Sequence, residues 1–366
     1  MKRLLFVFAL LITVSCGKNS DDTPEAENSD LYFPPIPSTT WETTTPAEQG
    51  WDEAALDELY TYLEDENTRA FIILQNGKIA VEKYWGSTIT NSGDFDASSI
   101  WYWASAGKTL TAFLCGIAQQ KGLLDIDDKT SDYLGEGWTS ASQEKEDLIT
   151  IRHQLTMTTG LDYEVDNLDC TDPACLLYKA DAGTQWFYHN AAYTLIEQVV
   201  SAAAGISYNA FTDNEVEAAT GMNGIWLQTG DNNVYYSTAR DAARFGLLLL
   251  NKGTWDQTTL LSDQGYFSEM TNTSQDLNLS YGYLTWLNGK SSVILPGLTI
   301  PISTSIAPAA PADLFAALGK NGQFIDVVPS QNLVVIRMGE APNDALVPVQ
   351  LHFGMWEKIA AAISFD

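Results

Sequence analysis

Two strand-rich pairs at opposite ends of the chain set the tightest limit on its fold. Near the start, Phe71-Ile72-Ile73-Leu74 and Ile79-Ala80-Val81-Glu82-Lys83-Tyr84-Trp85 flank Gln75-Asn76-Gly77-Lys78. An Asn-Gly pair between β-rich runs is the strongest short-range hairpin signal, because both turn residues must take positive φ. Near the end, residues 323–328 and 333–338 flank Pro329-Ser330-Gln331-Asn332 and read as a second hairpin. The patterns between them are helical. Residues 51–63 put Leu56, Leu59, Tyr60 and Leu63 on one side, and residues 105–120 do the same with Leu110, Phe113, Leu114 and Ile117 before the stop at Gly122. Further helices are predicted over 191–204, 208–219, 240–251 and 347–363, and residues 294–311 read as a long loop. Hairpins at both ends with helices between them predict an α+β domain: an antiparallel sheet flanked by helices, with a largely helical insertion over about 123–230.

The N-terminus predicts export. Met1-Lys2-Arg3 is followed by an apolar run over 4–14 and by Ser15-Cys16-Gly17. A basic start, a short apolar run and a small residue at the cut site describe a secretory signal. The run is about half the roughly 20 residues a spanning helix needs. Ile12-Thr13-Val14-Ser15-Cys16 resembles a bacterial lipobox, whose cysteine is lipidated after cleavage. The expected organisation is a lipoprotein signal over 1–16, a flexible acidic tether over 17–38 and one domain over 39–366, exported and held on the cell envelope through lipid on Cys16. That lipid would be the sole membrane contact. The net charge is −28, from 47 acidic and 19 basic residues, and such a surface repels phosphate backbones. Nucleic acid is therefore excluded as a partner. In an oxidising compartment, Cys170 and Cys175 are close enough to close a small disulfide loop. Metal binding is the weaker reading, because the chain has three histidines and none flanks this pair. No metal or organic cofactor is expected. Cys115, on an apolar helix, reads as a buried free thiol.

The chemistry concentrates in three short elements. Ser105-Ala106-Gly107-Lys108 places a serine and a lysine three residues apart, hence on one helical face. A serine hydroxyl needs a base, and a lysine becomes one only when burial or a nearby cation lowers its usual pKa of about 10.4. The backbone N–H of Ser105 lies where an oxyanion would form. Ser142-Gln143-Glu144-Lys145 has the same spacing in a polar, charged segment with no apolar helix after it, and reads as accidental. Tyr188-His189-Asn190 opens the helix starting at 191. Its tyrosine can relay protons, and its asparagine can meet both the lysine and a substrate carbonyl, or simply cap the helix. Lys320-Asn321-Gly322-Gln323 enters the closing hairpin. Gly322 would let substrate lie along the strand edge, and the Gln323 N–H would complete an oxyanion hole with Ser105; the competing reading is a surface turn.

Ser-x-x-Lys, Tyr-x-Asn and Lys-x-Gly, in this order, resemble the serine β-lactamase and penicillin-binding-protein superfamily, class C-like. Residues 149–161, 237–246 and 322–337 are also similar to segments of that family. The resemblance implies Ser105 as acylated nucleophile, Lys108 and Tyr188 sharing general-base and general-acid work, Asn190 positioning Lys108 and substrate, and Lys320 supplying positive charge near Tyr188. It leaves open which of Lys108 and Tyr188 takes the first proton, and it makes His153 an interior structural histidine. The family's β-lactamases carry Thr or Ser where this chain has Asn321. The stretch Ala317-Leu318-Gly319-Lys320-Asn321-Gly322-Gln323 is closer to the esterase, amidase and aminohexanoate-oligomer hydrolase branches. The implied activity is hydrolysis of an ester or amide, in a small molecule or peptide, through an acyl-enzyme. The alternatives are a true β-lactamase, a D-Ala-D-Ala carboxypeptidase acting on cell-wall peptides, or a catalytically silent member that binds peptidoglycan or glycans.

Overall fold

The two hairpins meet in one sheet. The computed structural model describes residues 31–36, 39–341 and 347–365. Helix α1 (Glu53–Asp65) leads into β1 (Thr68–Gln75) and β2 (Lys78–Tyr84), joined by a two-residue turn in which Asn76 and Gly77 both have positive φ. Next come β3 (Ile100–Tyr102), α2 (Gly107–Gln120), α3 (Asn190–Ala204), β4 (Ile225–Thr229), β5 (Asn232–Thr238) and α4 (Ala239–Leu250). The chain closes with β6 (Trp286–Leu287), β7 (Phe315–Gly319), β8 (Gln323–Val328), β9 (Leu333–Gly339) and α5 (Val349–Ala362). Six strands form an antiparallel sheet in the order β2-β1-β9-β8-β7-β6, with Ile72 of β1 opposite Ile336 of β9.

The central strands are continuous apolar runs because helices cover both faces of the sheet. Every residue of β8 and β9 is buried. Helix α4 packs on β1, β8 and β9, while α1 packs against α5. Asp326 of β8 meets two side chains of α5: its Oδ2 accepts from Trp356 Nε1 at 2.7 Å and lies 2.8 Å from His352 Nε2. Helix α2 is buried all round from Gly107 to Ala118, as a helix enclosed by other elements must be. It touches both β7 and α3.

The insertion is less helical than its composition suggests. Its main helix is α3, and its end forms β4, which joins β3 and β5 in a second, three-stranded sheet that the helical expectation does not include. The overlooked signal is Gly230-Asp231, a two-residue turn between β-rich runs. Residues 31–36, which composition assigns to the tether, lie against the domain. The Tyr32 N–H donates to the Asn76 carbonyl at 3.0 Å, and the Phe33 ring meets Trp255 edge-on at 5.1 Å. The expected leader, Cys16, and positions 17–30 and 37–38 of the expected tether fall outside the described residues.

Candidate active site

A strained turn presents Ser105. After β3, the Trp103 N–H donates to the Tyr235 carbonyl at 2.8 Å, and its indole Nε1 donates to Ser237 Oγ at 2.8 Å. Both bonds tie the chain to β5. Ala104 then takes a φ of +47°, and Ser105 sits in a single 3-10 turn (Ala104–Ala106). The α-helix begins two residues later than its apolar pattern suggests, at Gly107. A left-handed alanine costs on the order of 1–3 kcal/mol and persists where its surroundings over-determine it. Here the β5 anchors on one side and the buried helix on the other hold it.

One turn along, Lys108 is buried, and its Nζ donates to Ser105 Oγ at 2.8 Å and to Asn190 Oδ1 at 3.0 Å. The Tyr193 and Tyr188 rings flank the amine, with centroids at 3.7 and 4.9 Å. Burial drives the Lys108 pKa well below its ordinary value, and the negative charges of Asp169 and Glu197 only partly oppose that. Tyr188 is buried in an aromatic cluster, stacked on Trp286 at 5.8 Å with Tyr281 edge-on at 6.3 Å. Its hydroxyl lies beside Ser105 without a hydrogen bond of normal geometry, and burial raises its pKa, keeping the phenol protonated. Glu197, two turns into α3, accepts from Asn233 Nδ2 at 2.6 Å and is pushed up to about 8 by burial.

Asn190 is not the cap of α3. His189 occupies that position, with no side-chain cap bond, and Asn190 is the first helical residue. Its amide is thereby free to face the site. Nδ2 donates to Asp169 Oδ1 at 2.6 Å while Oδ1 receives Lys108. Sequence reasoning misses Asp169; its one visible signal is that it precedes Cys170. The Cys170 and Cys175 sulfurs are bonded, across a Cα–Cα distance of 6.0 Å. His153 is half-buried, and its Nδ1 caps the helix start by accepting from the Thr150 N–H at 3.1 Å.

The third element departs most from its expected arrangement. Residues Lys320–Gly322 form a turn between β7 and β8. Lys320 is exposed at this turn. Asn321, at φ +63°, donates its amide to the Tyr102 hydroxyl at 2.7 Å. Gly322 does not face a substrate channel: a Cβ on it would lie 2.2 Å from the guanidinium of buried Arg337, which also binds the Asn321 and Gly322 carbonyls at 2.8 Å. The Gln323 side chain clamps β8 to β9, donating to the Gly339 carbonyl at 2.7 Å and accepting from its N–H at 3.0 Å. The glycine that meets the nucleophile is Gly319. A Cβ there would lie 2.6 Å from the Trp103 carbonyl and 3.0 Å from the Ser105 nitrogen. The reason is hairpin register, which pairs Gly319 with Gln323 and lifts the intervening residues off the sheet.

The accidental Ser-x-x-Lys differs in every respect. Ser142 caps a four-residue helix, Gln143–Glu146, and Lys145 reaches outward to Asp181 at 2.6 Å.

A serine bonded to a buried lysine, at the edge of an antiparallel sheet under helices, defines the hydrolase class of the serine β-lactamase and esterase superfamily. The chain belongs to the beta-lactamase family, whose model matches residues 63–345. Penicillin-binding protein 4* of Bacillus subtilis (strain 168) is 26% identical over 166 residues, which is 41% of this chain and 35% of that protein. The match thus spans about a third of the relative's length. A solved structure assigned as a 6-aminohexanoate-dimer hydrolase, from Bacillus anthracis, superposes with a TM-score of 0.68 at 16% identity, over 90% of this chain and 89% of that one. A family VIII carboxylesterase superposes with a TM-score of 0.64 at 16% identity, over 84% of this chain and 96% of that one. At such identities the likeness shows the fold alone.

Proposed function

We propose that the protein hydrolyses a neutral ester or amide by two-step acyl transfer, with Ser105 as nucleophile. The observation that carries this reading is the buried Lys108 amine within hydrogen-bond distance of Ser105 Oγ, at 2.8 Å, where its neutral form can accept the hydroxyl proton. A lysine whose burial favours the neutral form is a base at neutral pH, whereas Tyr188, favoured as the phenol, is a proton donor. Lys108 takes the Ser105 proton as Oγ bonds to the substrate carbonyl carbon. The carbonyl oxygen, now negative, is met by the Ser105 N–H, on the side where the Gly319 backbone closes against the same turn. Collapse expels the alcohol or amine, which takes a proton from the Tyr188 hydroxyl while Lys108 returns the Ser105 proton to Tyr188, so that the lysine is neutral again. Water then attacks the acyl-enzyme, with its proton going to Lys108, and Ser105 leaves protonated.

The substrate is proposed as neutral because Lys320, the cation expected beside the nucleophile, has an exposed side chain at the β7–β8 turn. The Asn321 amide is occupied by Tyr102, and the chain carries a net charge of −28. The other two enzyme readings are separated by a panel of p-nitrophenyl esters, anilides, penicillins, cephalosporins and D-Ala-D-Ala peptides, run with a Ser105→Ala control. Ester or anilide turnover that vanishes in the control is the expected result. Faster turnover of lactams or D-Ala-D-Ala peptides would overturn the neutral-substrate reading. Lipid attachment at Cys16 completes the proposal. Fatty-acid labelling in a bacterial host should tag the wild type and not Cys16→Ser, and an untagged secreted wild type would refute it.

A further inference from the structure

The amine of a neutral lysine has one lone pair and two N–H bonds. To accept the Ser105 proton, that lone pair must point at Ser105, so both N–H bonds must go elsewhere. Asn190 Oδ1, at 3.0 Å, takes one of them. An asparagine amide can present either end. Were Asn190 turned over, its Nδ2 would face the amine, and the only way to satisfy that contact would be to spend the lone pair on it. The base would then be occupied and misdirected. Something must hold the amide in its present sense, and the group on its other side is Asp169, whose Oδ1 accepts from Nδ2 at 2.6 Å. An ionised carboxylate only accepts hydrogen bonds, so it tolerates the Nδ2 end and rejects the Oδ1 end.

We infer that Asp169 is a positioning residue: its carboxylate holds the Asn190 amide with Oδ1 on the Lys108 amine, and thereby aims that amine at Ser105. The inference rests on the acyl-transfer reading above and deepens it. Asp169 is itself braced. Its N–H donates to Asn167 Oδ1 at 3.0 Å, and Asn167 Nδ2 donates to Asp231 Oδ2 at 2.7 Å beside β5. The preceding carbonyl, of Leu168, accepts from the Ala191 N–H at 2.9 Å, which docks this loop on the first turn of α3. The following residue is Cys170, bonded to Cys175. The three attachments hold one carboxylate against one amide.

Charge gives the arrangement a second consequence. The charged groups acting on the Lys108 amine are Asp169 and Glu197, and the titratable groups flanking it are Tyr188, Tyr193 and Ser105. Glu197 is biased toward its neutral acid by burial, and His189, buried near Asp169, is pushed down to about 4 and so is neutral at neutral pH. Asp169 is therefore the negative charge the amine senses most. Removing it weakens the hold on the ammonium's proton, so the acid limb of the rate profile moves to lower pH.

The test uses an alkyl fluorophosphonate, so that no natural substrate need be known: Ser105 Oγ bonds to phosphorus, fluoride leaves, and the proton goes to Lys108. Labelling rates are measured from acid to alkaline pH for wild type, Asp169→Ala and Asp169→Asn, alongside thermal denaturation and the kcat and KM of an ester that the wild type turns over. Asp169→Ala should slow labelling by roughly 10–100-fold through misorientation, with kcat reduced and KM little changed. Asp169→Asn, whose new carbonyl can still accept from Asn190, should recover most of that rate. Both variants should show the acid limb displaced to lower pH, which a merely structural role would not produce. If Asp169→Ala does not fold, the limb of Asp169→Asn carries the test. A folded Asp169→Ala labelled at the wild-type rate, or an unmoved limb in the variants that fold, would overturn the inference while leaving the acyl-transfer reading intact. A wild type that is never labelled at Ser105 would overturn both.

Discussion

Among the described residues the same four-residue spacing occurs twice, and the two copies do opposite things. At Ser105 and Lys108, the lysine is enclosed by α2, α3 and two tyrosine rings, and its nearest oxygens belong to the serine and an amide. At Ser142 and Lys145, the lysine reaches an aspartate in solvent, which holds its proton more tightly. Spacing puts both lysines in reach of their serines. Burial alone turns one of them into a base, because desolvation disfavours the ammonium while an ion pair favours it. The residues downstream of each motif decide its chemistry: α2 is buried on all sides from Gly107 to Ala118, whereas Gln143–Glu146 is one charged turn.

Substitution at the two sites should break this symmetry most visibly. Ser105→Ala should remove turnover down to the level left by binding and oxyanion contacts alone, a loss of roughly 10³-fold or more, and Ser142→Ala should leave it unchanged. Lys108→Ala should cost about 10²–10⁴-fold in kcat, the usual range for a lost general base. Lys145→Ala should cost nothing in catalysis, because its exposed pair with Asp181 is remote from Ser105. Steady-state kinetics on one chromogenic ester checks all four. Equal losses at both lysines would show that burial is not the distinction.

Much of this contrast is legible in the amino-acid sequence. The Asn76-Gly77 hairpin, the closing hairpin and the apolar run after Ser105 all carry strong local signals, and each forms near its expected bounds. The three-stranded sheet is not legible, since β4 has mixed exposure and only Gly230-Asp231 marks its turn. Asp169 is invisible because its meaning depends on Asn190, brought to it by tertiary packing. The third motif misleads for a related reason. Lys320, Asn321 and Gly322 match a spacing, but hairpin register turns Gly322 onto Arg337 and leaves Gly319 at the nucleophile.

That last difference sharpens the comparison at the glycines. Gly319→Ala places a methyl group against the Ser105 turn and should lower kcat by roughly 10²-fold, the cost of about 1 Å of misplacement. Gly322→Ala drives its methyl group into the Arg337 guanidinium and should lower Tm, with less effect on the kcat of the folded fraction. Kinetics and thermal denaturation on both variants decide it. Equal effects on kcat would put Gly322 back at the site.

The pH dependence of stability separates the lysines more quietly. With the folded-state Lys108 pKa depressed, the unfolded chain binds more protons between the folded and unfolded values, and stability rises with pH across that window. Lys108→Met abolishes this contribution, so its stability relative to wild type should fall steadily as pH rises toward the unfolded lysine value of about 10.4. Lys145→Met should show no such trend, because its pKa is raised rather than lowered. Denaturant melts at several pH values read this directly. The smallest effect belongs to the Cys170–Cys175 loop. Its short span predicts about 2 kcal/mol of stabilisation, together with a modest loss of kcat on reduction as Asp169 loosens.

Enclosure of the lysine selects the nucleophile. Peptide mapping by mass spectrometry after treatment of the native protein with a fluorophosphonate tests it most directly, because both serines are present in the same molecule. One adduct is expected, on the peptide carrying Ser105, which disappears in Lys108→Met and persists in Lys145→Met. An adduct on Ser142, or undiminished labelling of Ser105 in a folded Lys108→Met, would contradict it.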